Sequence, residues 1–106
     1  MVEDITPKDL AQRMESDEKP QVLDVREDIE RDIACIPGSL HIPMQQVPAR
    51  VAELDRDRPI VIYCHHGMRS YQVACYLHEQ GFAKVYSLGG GIDGYAMDVD
   101  PAMTRY

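Results

Sequence analysis

The chain has 106 residues, 44% apolar and 27% charged, which is typical of one soluble globular domain spanning residues 1–106. Its formal net charge of −7 lacks the basic surface that nucleic acids and anionic membranes require, so neither is expected as a partner. No apolar run approaches the ~20 residues of a membrane span, and the acidic start 1–4 lacks the basic and apolar regions of a signal peptide.

The first half of the chain predicts strands that alternate with short helical segments. Thr6 is the expected N-cap of the first helix, because Pro7 follows at the first helical position and Asp9 lies three residues on. The elements predicted in this half are a strand over 2–5, the helix from Thr6, a buried strand over 22–25, a helical turn or two over 27–33, a Pro-Gly turn over 36–39 and a brief strand over 40–43.

The second half contains the clearest strand of the chain, the apolar run over 60–63. Gly81 is expected just past the end of a helix, the position at which glycine commonly ends helices. The elements predicted here are a helix over 47–54, the strand over 60–63, a helix over 70–80, a strand over 85–88, a glycine break over 89–91 and a helix over 92–97.

Strands that alternate with helices predict an α/β fold, in which a parallel sheet carries helices on both faces. Ligands of such sheets bind beyond the carboxyl ends of the strands. The segment 64–70 joins the strongest strand directly to a helix. The functional site is therefore expected there.

Cys64 is the candidate nucleophile of this segment. A free thiol has a pKa of ~8.5, and the unpaired N–H groups and dipole of a helix N-terminus favour its thiolate. A loop that curls around the sulfur would form an anion-binding nest, and Gly67 permits the backbone angles that such curling needs. Arg69 adds a permanent positive charge that can hold an oxyanion with two donors.

The other cysteines have ordinary packing explanations, Cys75 within a helix and Cys35 beside a turn. Three cysteines in unrelated contexts favour a reducing cytoplasm over a disulfide framework. His65 and His66 suggest a metal site, but adjacent histidines are expected to point in different directions, and the chain lacks the ligand spacing of zinc sites. No metal or cofactor is therefore expected, and the two rings would line the substrate mouth or lie exposed.

Four blocks of sequence, taken together and in order, resemble the rhodanese family of sulfurtransferases. Any one block alone is weak evidence, but four in sequence are specific, and they cover nearly the whole chain. They read Asp-Val-Arg-Glu over 24–27, Ile-Pro-Gly-Ser-Leu-His-Ile-Pro over 36–43, the Cys64 loop with its preceding strand over 61–70, and Leu-Gly-Gly-Gly-Ile over 88–92.

The resemblance implies a parallel sheet of about five strands and a persulfide mechanism. Cys64 would take sulfane sulfur from a small-molecule donor such as thiosulfate and pass it to cyanide, a cellular thiol or a protein acceptor, in two half-reactions. Backbone N–H groups of the loop would stabilise the thiolate and the persulfide, and Arg69 would orient the oxyanion of the donor. The substrate-binding residues implied are His65, His66, Gly67, Met68, Arg69 and Ser70.

The chain departs from the family pattern at two places. Ala34-Cys35 stands where Gly-His is usual, so a second thiol could act as a resolving cysteine. His65, His66 and Met68 stand in the loop where basic or small polar residues are frequent, which predicts weaker affinity for thiosulfate. The family-like pair Asp24 and Arg26 is interpreted as structural, holding a strand and its loop in register.

Two alternative functions stay open at the level of sequence. A Cys-based phosphatase or arsenate reductase would use a Cys-x5-Arg loop to hold its oxyanion. Only four residues separate Cys64 from Arg69, so this loop is small for a phosphoryl group. A non-catalytic module for thiol redox sensing or sulfur carriage would also contain an activated cysteine.

Overall fold

Five apolar segments form a single parallel sheet in the computed structural model, which describes residues 2–106. The strands pair in the order β1-β5-β4-β2-β3, so that the most apolar strand, β4, lies at the centre and is fully buried. This confirms the predicted α/β fold with a five-stranded parallel sheet. The strands are β1 Glu3–Ile5, β2 Gln21–Asp24, β3 Leu40–His41, β4 Ile60–Tyr63 and β5 Val85–Leu88.

Helices cover both faces of this sheet, and most begin where the sequence predicts. The hydroxyl of Thr6 accepts the N–H of Asp9 at 3.1 Å, which confirms the predicted N-cap. None of the helices within residues 2–106 is long and apolar enough to span a membrane. The helices are α1 Pro7–Met14, α2 Asp28–Ile33, α3 Val47–Arg50, α4 Met68–Glu79 and α5 Gly91–Asp98, and 3₁₀ turns cover Met44–Gln46 and Val51–Glu53.

Most predicted elements agree with those observed to within two residues at each end, and two differ in character. The helix expected over 47–54 is a four-residue α-helix between two 3₁₀ turns, although its apolar positions Val47, Val51 and Leu54 are all buried. These three side chains are buried together although the backbone that carries them is not one regular helix. The strand expected over 40–43 is regular over Leu40–His41 only, although the N–H groups of Ile42 and Met44 still donate to the carbonyls of Asp24 and Val25, both at 3.0 Å.

Alternation along β4 places Cys64 on one particular face of the sheet. Ile60, Ile62 and Cys64 pack into the core that faces α3 and α4, whereas Val61 and Tyr63 pack into the core that faces α1 and α5. Since successive side chains of a strand point to opposite faces, Cys64 continues the two-residue period of β4. The sulfur is thereby directed toward the N-terminal end of α4.

A buried ion pair ties the end of β2 to the loop that follows it. Arg26 donates from Nε to one carboxylate oxygen of Asp24 at 2.9 Å and from Nη2 to the other at 2.8 Å, and both side chains are fully buried. Nη2 also donates to the carbonyl of Ala34 at 2.6 Å, and the hydroxyl of Tyr63 donates to Asp24 at 3.2 Å. The pair therefore has the structural role predicted for it.

Candidate active site

Cys64 lies at the carboxyl end of the central strand β4, between the ends of β2 and β5. The residue is 1% exposed, but it lines an open depression of about 400 Å³ on the surface. This is the edge of the sheet where parallel α/β folds bind their ligands. The depression is lined by Cys64, His65, His66, Met68, Arg69 and Gln72.

The loop after β4 curls around the sulfur. The backbone N–H groups of Gly67 and Ser70 donate to Cys64 Sγ at 3.1 and 3.4 Å, and the thiol donates to the Ser70 hydroxyl at 3.5 Å. Ser70 Oγ lies 2.8 Å from Ser87 Oγ, and both serines are buried. When the thiol loses its proton, the Ser70 hydroxyl can rotate and donate to the thiolate. Three donors are therefore available to a negative charge on this sulfur.

Two glycines make this curled loop possible. Gly67 has φ 118° at the N-cap of α4, a left-handed conformation that other residues adopt at a cost. Gly91 starts α5, and a Cβ there would overlap the backbone of Cys64 and His65. The close approach lets Ile92 N–H donate to the Cys64 carbonyl at 2.9 Å and Asp93 N–H to the His65 carbonyl at 3.2 Å. The N-terminus of α5 thus fixes the loop from behind.

Arg69 is not a free cation in this site. Its Nη1 and Nη2 donate to the two carboxylate oxygens of Glu30 at 2.7 and 3.0 Å, and the hydroxyl of Tyr106 donates to Glu30 at 2.7 Å. The hydrogen bonds from Arg69, followed by that from Tyr106, outweigh burial and lower the pKa of Glu30 to about 2. Glu30 is therefore ionised at neutral pH, and its charge balances that of Arg69.

Glu30 and Tyr106 were missed at the level of sequence. Glu30 lies in α2, 39 residues before Arg69, and Tyr106 lies 76 residues after Glu30. Neither belongs to one of the four family-like blocks. No local pattern in the sequence could have placed either of them beside Arg69.

His65 and His66 differ from expectation, because their rings stack instead of pointing apart. Their centroids lie 3.9 Å apart, and the Tyr106 ring stacks on His65 at 3.9 Å. The two-residue alternation of a strand does not apply in the loop, where Tyr106 holds one ring and the carboxylate of Asp93 lies 3.9 Å from the other. Burial, and then the proximity of His66, lowers the pKa of His65, so this ring is neutral at pH 7.

The mouth of the depression is formed by exposed loop residues. His66 has 66% of its side chain exposed and Met68 is 80% exposed. Neither residue hydrogen-bonds to Cys64 within the described part of the chain. They line the entrance, whereas Gly67 and Ser70 contact the sulfur.

One group of side chains has the composition of a metal site. Potential ligand atoms of His65, His66 and Asp93 lie within 4.8 Å of one another, and His65 Nε2 is buried with no hydrogen-bond partner in residues 2–106. Both carboxylate oxygens of Asp93, however, accept hydrogen bonds from Arg105, at 2.9 and 3.3 Å. A metal ion would have to share this carboxylate with the guanidinium of Arg105.

Replacing Cys35 or Cys75 by serine should preserve most of the activity of the protein. Both thiols are half-buried and free, and neither hydrogen-bonds with Cys64 in the described residues. Thiosulfate:cyanide turnover of each variant, compared with the parent, measures this directly. A Cys35–Cys64 disulfide found by peptide mapping after mild oxidation would contradict the prediction and identify Cys35 as a resolving thiol.

The chain is similar in sequence to proteins named sulfurtransferases and in fold to a solved rhodanese-like domain. The chain is 41% identical, over 91% of its length and 90% of the relative, to a sulfurtransferase of Allochromatium vinosum. It is 38% identical to the thiosulfate sulfurtransferase GlpE of Pseudomonas aeruginosa, covering 84% of this chain and 79% of that protein. A rhodanese-like domain protein of Staphylococcus aureus superimposes with a TM-score of 0.85 at 26% identity, covering 98% of both chains. Residues 6–98 match the rhodanese-like domain model, and the chain therefore belongs to the rhodanese-like family.

Proposed function

We propose that this protein is a sulfurtransferase that carries sulfur as a persulfide on Cys64. The supporting observation is the cradle, in which two backbone N–H groups and one serine hydroxyl converge on a single sulfur. Hydrogen bonds to the charged form of a group favour that form. The same donors can serve the thiolate before transfer and the persulfide after it, so the cradle suits a sulfur that alternates between the two states.

In the first half-reaction the Cys64 thiolate attacks the outer sulfur of the donor. With thiosulfate, the new Sγ–S bond forms as the S–S bond of the donor breaks, and sulfite leaves with the electron pair. In the second half-reaction cyanide or a thiolate attacks the outer sulfur of the persulfide and regenerates the Cys64 thiolate. Such covalent catalysis predicts ping-pong kinetics.

Thiosulfate is the first donor to test, because the relative from Pseudomonas aeruginosa is named for it. Cyanide or a small thiol is the first acceptor, and a protein acceptor would have to approach over the exposed residues His66 and Met68. Three free cysteines are consistent with a reducing compartment, for which we propose the cytoplasm.

Intact-mass analysis after mixing with thiosulfate tests the proposal. One added sulfur atom is expected, mapped to Cys64 and removed by cyanide. Hydrolysis of a chromogenic phosphate ester without sulfur uptake would favour the phosphatase alternative. Rapid formation of a sulfenic acid on Cys64, with no turnover of any donor, would favour a redox sensor.

Replacing Arg69 by alanine should slow the first half-reaction with thiosulfate, and replacement by lysine should restore only part of the rate. Lysine keeps the charge but loses the planar pair of donors. Loss of a charged hydrogen-bonding partner costs ~1.5–3 kcal/mol, which is about one to two decades in rate. The decay of pre-formed persulfide with cyanide should change less, since cyanide has no oxyanion to hold.

Stopped-flow measurement of the two half-reactions separates these effects. Equal slowing of both halves by Arg69→Ala would mean that the residue positions the loop and not the donor. An unchanged rate in both halves would contradict any role of Arg69 at the site.

A further inference from the structure

We propose that Glu30 is a specificity-determining residue, which occupies Arg69 and thereby makes Cys64 favour donors without a dianionic head group, such as organic persulfides, over thiosulfate. The inference rests on the proposed function. It starts from one observation, that both terminal nitrogens of the only arginine in the Cys64 loop already donate to a carboxylate.

The Glu30 side chain is held firmly and is not a loose surface partner. Its carboxylate accepts hydrogen bonds from four donors, which are Arg69 Nη1 and Nη2, the Tyr106 hydroxyl and the N–H of Glu27 at 3.1 Å. Only 14% of the side chain is exposed, against 33% for Arg69. A bidentate pair fixed at this many points stays in one geometry, whereas ordinary surface pairs are mobile.

The charge around the opening offers an incoming dianion little attraction. Arg69 is paired with Glu30 and Arg105 with Asp93. The whole chain carries a formal net charge of −7, so the long-range field repels anions. A thiosulfate ion must therefore compete with Glu30 for the guanidinium that would hold its oxygens.

An organic persulfide can react without displacing Glu30 from Arg69, because its reacting end carries no oxyanion. Its terminal sulfur bears a single negative charge and can enter the cradle of Gly67 and Ser70, while the carbon-bearing sulfur stays at the mouth beside Met68 and Gln72. The Cys64 thiolate attacks the terminal sulfur, the S–S bond of the donor breaks, and its thiolate leaves with the electron pair. Charge and atoms balance, and no other reactant is needed.

The test compares Glu30→Gln with Glu53→Gln as the matched control. Glu53 also accepts two hydrogen bonds from an arginine, Arg50, at 2.7 and 3.0 Å, but this pair lies on the exposed surface. Both substitutions change the net charge by the same amount, so the control accounts for the long-range field. Second-order rate constants for persulfide formation are measured with thiosulfate and with cysteine persulfide.

Glu30→Gln should raise the thiosulfate rate constant at least about tenfold, the effect expected from one freed charged hydrogen-bonding group. The rate constant with cysteine persulfide should change less than about twofold, and Glu53→Gln should leave both unchanged. In an Arg69→Ala background Glu30→Gln should raise the thiosulfate rate constant by less than it does in the parent, because no guanidinium remains to be freed. An unchanged or lower thiosulfate rate in Glu30→Gln would overturn the inference.

Binding of thiosulfate to the Cys64→Ser protein gives a readout that does not need turnover. Calorimetry should show that Glu30→Gln tightens binding at least about tenfold in this background. If the parent protein forms no persulfide with either donor, the proposed function fails while the binding result still decides the role of Glu30. If persulfide forms but neither the rate nor the binding responds to Glu30→Gln, only this inference fails. Circular dichroism verifies folding, and Glu30→Asp, which shortens the side chain, serves should Glu30→Gln not fold.

Discussion

Cys64→Ser should abolish sulfur transfer and leave the protein folded. Serine is nearly isosteric with cysteine and can accept the same hydrogen bonds from Gly67 and Ser70, so the buried position keeps its partners. A hydroxyl oxygen cannot hold a transferable sulfur atom, and no other thiol hydrogen-bonds within this cradle in residues 2–106. The loss should therefore extend to every donor and acceptor.

Thiosulfate:cyanide turnover and intact mass after donor treatment measure this loss, with circular dichroism as the control for folding. Cys75→Ser is the matched control, since it changes a half-buried thiol of α4 by the same atom. Turnover retained by a folded Cys64→Ser protein would refute the persulfide assignment.

Arg26→Met should lower the free energy of unfolding by about 3–5 kcal/mol, the cost of removing one partner of a buried ion pair. Asp24 is fully buried and would keep only the Tyr63 hydroxyl at 3.2 Å, the Arg31 guanidinium at 3.3 Å and the backbone N–H of residue 26. Chemical denaturation at pH 7 measures the change. Arg50→Met, which breaks the exposed pair with Glu53, is the control and should have little effect.

Acidification should reduce the difference in the free energy of unfolding between the parent and Arg26→Met. Burial opposes the Asp24 carboxylate, but the hydrogen bonds from Arg26 outweigh it and lower the pKa of Asp24 in the parent. The stability that this carboxylate contributes is thus present above its unfolded pKa of ~3.9 and is lost as the pH falls through the lower folded value. In Arg26→Met burial raises the pKa instead, so protonation relieves the penalty. A difference in the free energy of unfolding that increases at low pH would contradict this account.

The sequence predicted most of the fold because its signals were local. The apolar run 60–63, the cap at Thr6 and the glycines around the Cys64 loop each determine backbone structure within a few residues. The backbone N–H groups of residues 65–70 were expected around Cys64; those of Gly67 and Ser70 donate to its sulfur, and all lie within one short segment of the chain. Such local motifs determine the geometry of the backbone without help from distant parts of the chain.

The electrostatic state of the site could not be predicted in the same way. Arg69 was expected to present its charge to the donor, but Glu30 and Tyr106 reach it from distant parts of the chain. The stacking of His65 on Tyr106 likewise depends on where the segment after α5 lies. Such contacts follow from tertiary packing, which a single sequence without an alignment does not reveal.

The depth at which Cys64 lies also selects reactants by their shape. With 1% of the residue exposed, its position favours reactants that present a reacting atom at the end of a slender stem. Sulfane donors present such an atom, because their outer sulfur is bonded to one neighbour. In a disulfide both sulfurs carry carbon, and the bulk beside each hinders approach to the cradle between Gly67 and Ser70. We therefore expect steric access to favour sulfur-atom transfer over thiol–disulfide exchange at Cys64.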